Sequence, residues 1–207
     1  MEDICIPPYL GSDKMDDFNV LMRVLGGLRP ALLVELGTAY GNLSANICNQ
    51  FPEIQIVTVN APVETQTGNV VTYQISRQEI GRVYRKWGFH DRVTQVFANT
   101  LSLNLGKILS QESADAAIVD ACHDTEYVIN DFYKVEPYVR TGGIILFHDV
   151  HPSRTGHLNG AYCACVELRR RGYSISHISG TWWGLYVKGG EMIPNASGNF
   201  NARANIA

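Results

Sequence analysis

The sequence lacks the features of a membrane protein, a secreted protein or a zinc-ribbon protein. No apolar run approaches the ~18 residues that a membrane-spanning helix needs. The chain opens with the acidic stretch Met1-Glu-Asp and has no apolar segment typical of a signal peptide, so a cytoplasmic protein is expected. The five cysteines include no C-x-x-C pair, which favours free thiols in a reducing compartment.

A surplus of positive charge is also missing. Lys and Arg number 17 against 20 Asp and Glu, which gives a formal net charge of −3. Proteins that bind nucleic acid through its phosphates normally carry a basic surface, so no nucleic-acid partner is expected, and no membrane partner either. A small-molecule substrate is the expected partner, and a homodimer is left open.

The composition that is present is that of a folded globular protein. Hydrophobic residues make up 45% and charged residues 18% of the 207 positions, and this length suits one domain with one core. We expect a single domain over residues 1–188, with an N-terminal helical cap over 1–29. Residues 189–207 are mostly small or polar and are expected to form a flexible tail.

Helix-like and strand-like segments alternate along this domain. Apolar residues at helical spacing predict a helix over 14–28 that ends at Gly26-Gly27, and the apolar run Ala31–Leu36 predicts a buried parallel strand. Further on, a capping box predicts a helix over 76–88, and Gly142-Gly143 predicts a turn before the fifth strand. The pattern predicts an α/β fold with a doubly wound, mostly parallel seven-stranded sheet and an antiparallel terminal strand.

A glycine turn follows the first predicted strand. Gly37 and Gly41 lack a Cβ, so the backbone can bend sharply there and approach a ligand, and the next helix directs unpaired N–H groups toward it. The spacing E-x-G-x-x-x-G differs from the G-x-G-x-x-G of dinucleotide-binding proteins, which disfavours an NAD-linked dehydrogenase. A turn of this kind can equally be a packing device.

Three motifs in order resemble those of class I S-adenosylmethionine-dependent methyltransferases. They are Val34-Glu-Leu-Gly-Thr-Ala-Tyr-Gly41, Ile118-Val-Asp-Ala-Cys-His-Asp124 and Gly142-Gly-Ile-Ile-Leu-Phe-His-Asp149. The sequence looks most like the small O-methyltransferase-like domains of the methyltransferase family 24 type. The resemblance covers residues from about 30 to 188 and implies a Rossmann-like methyltransferase fold with S-adenosylmethionine as cofactor.

The resemblance also implies which residues bind the cofactor. Glu35 would meet the ammonium group of its methionine part, and Ser44, on the first turn of the next helix, would bond the carboxylate. The full set that the resemblance implies is Glu35, Gly37, Thr38, Tyr40, Gly41, Ser44, Asn60, Asn99 and Asp120.

At two positions the sequence departs from the family. Asn60 stands where an acid usually accepts hydrogen bonds from both ribose hydroxyls, and Asn99 stands where an acid commonly meets the adenine amino group. A side-chain amide offers one acceptor oxygen and one donor nitrogen. The two changes motivate an alternative function, a nucleoside-binding methyltransferase-like protein without transfer activity.

The candidate reaction site lies at the ends of the fourth and fifth strands. Asp120 ends the fourth strand and His148 and Asp149 end the fifth, so their side chains should project into one crevice near His123. The catalytic candidates are His123, His148 and Asp149. Either histidine could act as general base, because imidazole titrates near neutral pH.

A metal is the other interpretation of this site. Asp120, Asp149 and His151 could hold a divalent ion that lowers the pKa of a substrate hydroxyl, as the resemblance to catechol- and caffeoyl-type O-methyltransferases suggests. An imidazole ligand would favour a transition metal over Mg²⁺. The sequence therefore predicts O-methylation of a small hydroxylated metabolite, such as a sugar, phenol or natural-product intermediate, assisted by a histidine base or a metal.

Overall fold

Strands and helices alternate through most of the chain. A computed structural model describes residues 12–67, 74–151, 159–190, 193–194 and 200–201. The helices are α1 (Ser12–Leu28), α2 (Asn42–Gln50), α3 (Arg82–Lys86), α4 (Thr125–Val135) and α5 (Gly160–Arg170). The strands are β1 (Leu32–Leu36), β2 (Gln55–Asn60), β3 (Val93–Phe97), β4 (Ala114–Val119), β5 (Val139–Phe147), β6 (Ile175–His177), β7 (Gly184–Val187), β8 (Ile193–Pro194) and β9 (Phe200–Asn201).

The first seven strands form one sheet in the order β3-β2-β1-β4-β5-β7-β6. Strands β1 to β5 pair in parallel, whereas β7 runs antiparallel to both β5 and β6. This confirms the predicted fold class and places the antiparallel strand between β5 and β6 rather than at the edge. The order reverses between β1 and β4, the switch point beside which open α/β sheets bind ligands.

Successive residues of the central strands point to opposite faces of the sheet, and each face is covered by helices. On one face, Leu33, Ile144 and Leu146 pack with residues of α1 and α2. On the other face, Val34 and Phe147 pack with residues of α4 and α5. The period of two residues follows from strand geometry, and the two cores confirm the doubly wound arrangement.

Helix α1 ends at Leu28, the predicted end, and Gly26-Gly27 lies in its last turn. Two local features differ from the prediction. The predicted helix over 76–88 is reduced to turns followed by α3, because Gly81 adopts a left-handed conformation, with φ 72°, at the helix start. Gly142-Gly143 lies inside β5, where Gly142 has φ 77° and the register with β4 shifts, so the predicted turn is a bulge.

Three further expectations concern membrane-spanning helices, the C-terminal tail and the cysteines. No helix among the described residues is long and apolar enough to cross a membrane. Within the predicted tail over 189–207, β8 and β9 pair antiparallel, and the other residues beyond Gly190 lie outside the described part of the chain. None of the four cysteines that the structure describes forms a disulfide with another of them.

Candidate functional site

The glycine turn passes directly beside the end of β4. Gly37 has φ 111°, and a Cβ built on it would lie 1.9 Å from the backbone carbonyl oxygen of Asp120. The N–H groups of Gly37 and Thr38 both donate to the carbonyl of Val59 at the end of β2, over 2.9 and 3.2 Å. Only glycine permits this approach at position 37, so the turn is fixed between the ends of β2 and β4.

Gly41 accommodates the protein's own segment around α3. Its φ is 81°, and a Cβ there would lie 2.6 Å from the ring of Tyr84. The N–H of Gly81 donates to the carbonyl of Ala39, and the N–H of Val83 donates to that of Tyr40, both over 2.9 Å. At Gly41 the interpretation of the turn as a packing device therefore has direct structural support.

Glu35 and Ser44 bond to each other beneath the turn. Both are fully buried, and the Ser44 hydroxyl donates to Glu35 Oε2 over 2.5 Å. The Thr58 hydroxyl donates to the same oxygen. Burial raises the pKa of Glu35 to about 7, against the opposing effect of these two hydrogen bonds. The side chains of Glu35 and Ser44 thus join β1 to α2, and their contacts with a cofactor stay a prediction.

The amide side chains at the ends of β2 and β3 also form hydrogen bonds within the protein. Asn60 Oδ1 accepts from the Ala39 N–H over 2.9 Å and so supports the glycine turn. Asn99 Nδ2 donates to the carbonyl of Thr65 over 3.0 Å, and its Oδ1 accepts from the Leu101 N–H. Both amides lie at the predicted strand ends, where they order the adjacent loops.

Thr38 and Tyr40 contribute to the same turn in different ways. The Thr38 hydroxyl is buried and accepts from the Gln95 amide over 3.0 Å, while sharing a 2.6 Å hydrogen bond with Thr58. Tyr40 is partly exposed, and the Arg82 guanidinium lies 4.5 Å from its ring centroid. Cation–π contacts of this kind stabilise by roughly 0.5–1 kcal/mol at exposed sites. Thr58, Gln95 and Arg82 were not among the residues predicted to support the turn.

Two aspartates and two histidines meet where β4 and β5 end. Asp120 Oδ1 lies 3.5 Å from His148 Nδ1, and Asp149 Oδ2 lies 3.4 Å from the same nitrogen. His123 Nε2 lies 3.2 Å from Asp149 Oδ2 and 3.8 Å from Asp120 Oδ1. The expectation that these side chains share one location is confirmed. Asp120, with 20% of its side chain exposed, is the most accessible of the four.

The four groups control one another's protonation. Burial alone would lower the pKa of both imidazoles, but Asp120 and Asp149 raise the pKa of His123 and raise that of His148 further above its usual range. Burial would likewise raise the pKa of both carboxyls, but the histidines hold the pKa of Asp120 and of Asp149 below its usual value. Each imidazole therefore binds a proton more readily than a free histidine side chain does, which is compatible with the predicted general-base role.

Comparison with known proteins identifies the family. A family model described as a methyltransferase domain matches residues 34–150, which include the glycine turn and the Asp–His cluster. The chain belongs to this methyltransferase family. The match confirms the predicted methyltransferase family and the predicted enzyme class, a methyltransferase. No curated protein matches the sequence.

Solved structures share the fold of this methyltransferase at low sequence identity. A Staphylococcus aureus protein assigned as a caffeoyl-CoA O-methyltransferase is 14% identical, with a TM-score of 0.63 over 86% of this chain and 83% of that one. A Podospora anserina methyltransferase bound to SAH is 17% identical, with a TM-score of 0.60 over 86% and 79%. A Bacillus cereus O-methyltransferase in complex with SAH is 16% identical, with a TM-score of 0.58 over 88% and 84%.

The Asp–His cluster offers ligand atoms suited to a metal ion, but the residues that it brings together differ from the predicted ligands. One ligand atom each from Asp120, His123 and Asp149 lies within 4.8 Å of the others. His151 instead faces His177, with ring centroids 5.8 Å apart. The chain turns sharply at Asp149, where φ is 59°, and this bend precedes His151. Two carboxylate oxygens and one imidazole nitrogen suit a divalent transition metal.

Proposed function

We propose that this methyltransferase transfers the methyl group of S-adenosylmethionine to a hydroxyl group of a small metabolite. The reaction centre of the proposal is the cluster of Asp120, His123, His148 and Asp149. The oxygen–carbon bond forms as the carbon–sulfur bond breaks, the sulfonium becomes a neutral thioether, and the hydroxyl proton passes to solvent water.

The observation that carries this proposal is the double role of Asp120. Its backbone carbonyl lies against Gly37 of the glycine turn, and its carboxylate lies within 3.5 Å of His148 in the cluster. A ligand that occupied the turn would therefore be beside the acidic and basic groups. Methyl transfer depends mostly on aligning nucleophile, methyl carbon and sulfur, and a shared residue between the two parts supports such alignment.

Asp120, His123 and Asp149 would hold a divalent metal in this proposal. When bound, such an ion acts as a Lewis acid that lowers the pKa of a coordinated hydroxyl. His148 Nδ1 lies within 3.5 Å of both carboxylates, so the imidazole would hold both of them in place. His123 Nδ1 is buried without a hydrogen-bond partner among the described residues, so the position of its ring would depend on its Nε2 contacts.

The test is methyl transfer from radiolabelled S-adenosylmethionine to a panel of sugars, phenols and phenolic acids, with and without Mn²⁺. We expect Asp149→Asn to lower turnover by about 100-fold or more, because it removes a carboxylate that would hold the metal, and a metal ion can supply several kcal/mol of transition-state stabilisation. Asp91→Asn is the matched control, because Asp91 pairs with His90 over 3.4 Å on the surface. Equal turnover of the two variants would refute the assignment of the reaction centre.

The alternative is a protein that binds the nucleoside without transferring a methyl group. It is favoured by Asn60 and Asn99, whose amides bond to the protein's own backbone. In that case, S-adenosylhomocysteine would raise the melting temperature, since a ligand that binds only the native state stabilises it. No acceptor in the panel would then be methylated at any metal concentration.

A further inference from the structure

Asp17, on α1, is a fully buried carboxylate beside the candidate site. Nothing in the motifs pointed to it. A buried carboxylate is costly unless it is paired and hydrogen-bonded. Its ion-pair partner is His148, whose Nε2 lies 3.4 Å from Asp17 Oδ2. His148 reaches Asp17 because of the alternation of side chains along β5. Ile144 and Leu146 face the α1 side of the sheet, and His148 continues the same alternation.

The segment before β7 holds Asp17 in place independently of His148. Asp17 Oδ1 accepts from the Trp182 backbone N–H over 2.9 Å. The Trp183 indole N–H donates to the backbone carbonyl of Asp17, also over 2.9 Å. These two bonds fix both the backbone and the carboxylate of Asp17, so that its second oxygen is directed toward His148.

His148 connects Asp17 to the reacting groups. Its Nε2 faces Asp17, while its Nδ1 lies 3.5 Å from Asp120 Oδ1 and 3.4 Å from Asp149 Oδ2. The Trp183 ring packs against it, with centroids 4.5 Å apart. The imidazole is thus held between a fixed carboxylate on one side and two site carboxylates on the other, so its orientation is determined from the α1 side.

We propose that Asp17 is a positioning residue that acts through His148 to set the placement of the Asp120 and Asp149 carboxylates. This inference rests on the proposed function, since it assigns Asp17 a part in that same reaction centre. It makes α1 a component of the active site rather than only a covering helix. The partners of metal ligands and catalytic groups commonly change activity by about 10- to 100-fold when removed.

The test compares Asp17→Asn with Asp115→Asn. The amide at position 17 keeps the shape and an oxygen for the Trp182 N–H, and it replaces the oxygen that faces His148. Asp115 is the control because it is a structural carboxylate at the other end of β4, where it accepts from the N–H groups of Ala31 and Leu32 and pairs with Arg140. Two readouts are needed, turnover and the nitrogen resonances of the His148 ring in protein labelled with ¹⁵N-histidine.

We expect Asp17→Asn to shift the His148 ring resonances and to lower kcat by about 10- to 100-fold, with the KM for S-adenosylmethionine unchanged. Asp115→Asn should lower only the melting temperature. Unshifted resonances in Asp17→Asn, or a kcat equal to that of Asp115→Asn, would overturn the inference. If Asp17→Asn does not fold, Asp17→Glu displaces the carboxylate by one methylene, and the same two readouts apply to it.

The two proposals fail in different ways. If the wild-type protein methylates no acceptor, the proposed function is refuted by turnover alone. A shifted His148 ring in Asp17→Asn would still support the control of His148 by Asp17 in that case. If the wild-type protein is active and Asp17→Asn is equally active, only the positioning role is refuted.

Discussion

The carbonyl oxygen of Asp120 fills the space that a side chain at Gly37 would need, with 1.9 Å between that oxygen and a Cβ built at position 37. The contact joins the end of β4 to the turn after β1. It explains why a glycine stands at the first position of the turn, and it keeps the Asp120 carboxylate next to that turn.

Replacing Gly37 with alanine should abolish stabilisation by S-adenosylmethionine. The added Cβ would force the turn away from Asp120, and the left-handed conformation itself costs an L-residue roughly 1–2 kcal/mol. Gly88→Ala is the matched control, since Gly88 also has a positive φ but a Cβ there meets nothing within 4 Å. Thermal melting with and without ligand measures both effects. A ligand-induced shift in Gly37→Ala equal to that of the wild type would contradict the placement of the cofactor.

A divalent transition metal should bind the wild-type protein more tightly than it binds Asp120→Asn. The substitution removes one charged oxygen from the three ligand atoms that lie within 4.8 Å of one another, and metal affinity depends on the number of charged ligands. Titration calorimetry with Mn²⁺ measures this difference, with His151→Ala as the control because His151 faces His177 instead. If His151→Ala weakens binding more than Asp120→Asn does, the ligand set inferred from the structure is wrong.

Glu35 should make the protein less stable as the pH rises through neutrality. Its pKa is raised from 4.5 to about 7 in the folded protein, so the folded state binds its proton more tightly than the unfolded chain does. The stabilisation is complete below about pH 4.5 and is lost as the pH rises through about 7, to a total of about 3 kcal/mol.

The Glu35→Gln variant tests the predicted direction in which stability changes with pH. The variant should remove that part of the pH dependence between about pH 4.5 and 8, as measured by urea unfolding at several pH values. Glu79→Gln is the control, because Glu79 takes part in exposed hydrogen bonds with Ser76. The same slope of stability against pH in Glu35→Gln and the wild type would show that Glu35 is not the titrating group.

Asn60→Asp should tighten the binding of S-adenosylhomocysteine. A carboxylate keeps an acceptor for the Ala39 N–H, which Asn60 Oδ1 now bonds over 2.9 Å, and it adds a second acceptor for a ribose hydroxyl. One additional hydrogen bond contributes about 1 kcal/mol, or about fivefold in affinity. Calorimetry measures the change. Weaker binding by Asn60→Asp would mean that the bond from Asn60 Nδ2 to the carbonyl of Ala61 matters more than the missing acid.

Much of the fold followed from local sequence patterns. The strand predicted over the apolar run Ala31–Leu36 is observed over Leu32–Leu36, because buried apolar runs of this length are distinctive. The helix over 76–88 was overpredicted. Its capping residues do interact, as Ser76 and Glu79 are hydrogen-bonded, but the backbone of Gly81 bonds to the glycine turn. A tertiary contact of this kind cannot be read from propensity alone.

The candidate site was also predicted only in part, because part of it depends on tertiary contacts. Asp120 and Asp149 could be placed together because parallel strands end at one edge of the sheet. The ligand group was predicted with His151 as its third member, whereas the structure places His123 beside the two aspartates. The left-handed backbone at Asp149, which precedes His151, is not visible in the sequence. Asp17 was missed altogether, since nothing distinguishes it from a solvent-facing acid on a helix until the partners of α1 are known.

The position of β7 has a consequence for how the protein is made. Because β7 runs antiparallel beside β5, the residues just before it, Trp182 and Trp183, return to the edge where β4 and β5 end and there bond to Asp17. During synthesis, a chain that has reached Asp149 already carries the glycine turn and both site aspartates. It still lacks the tryptophan pair that bonds to Asp17, so the contacts that hold α1 beside His148 form only after β7 has been synthesised.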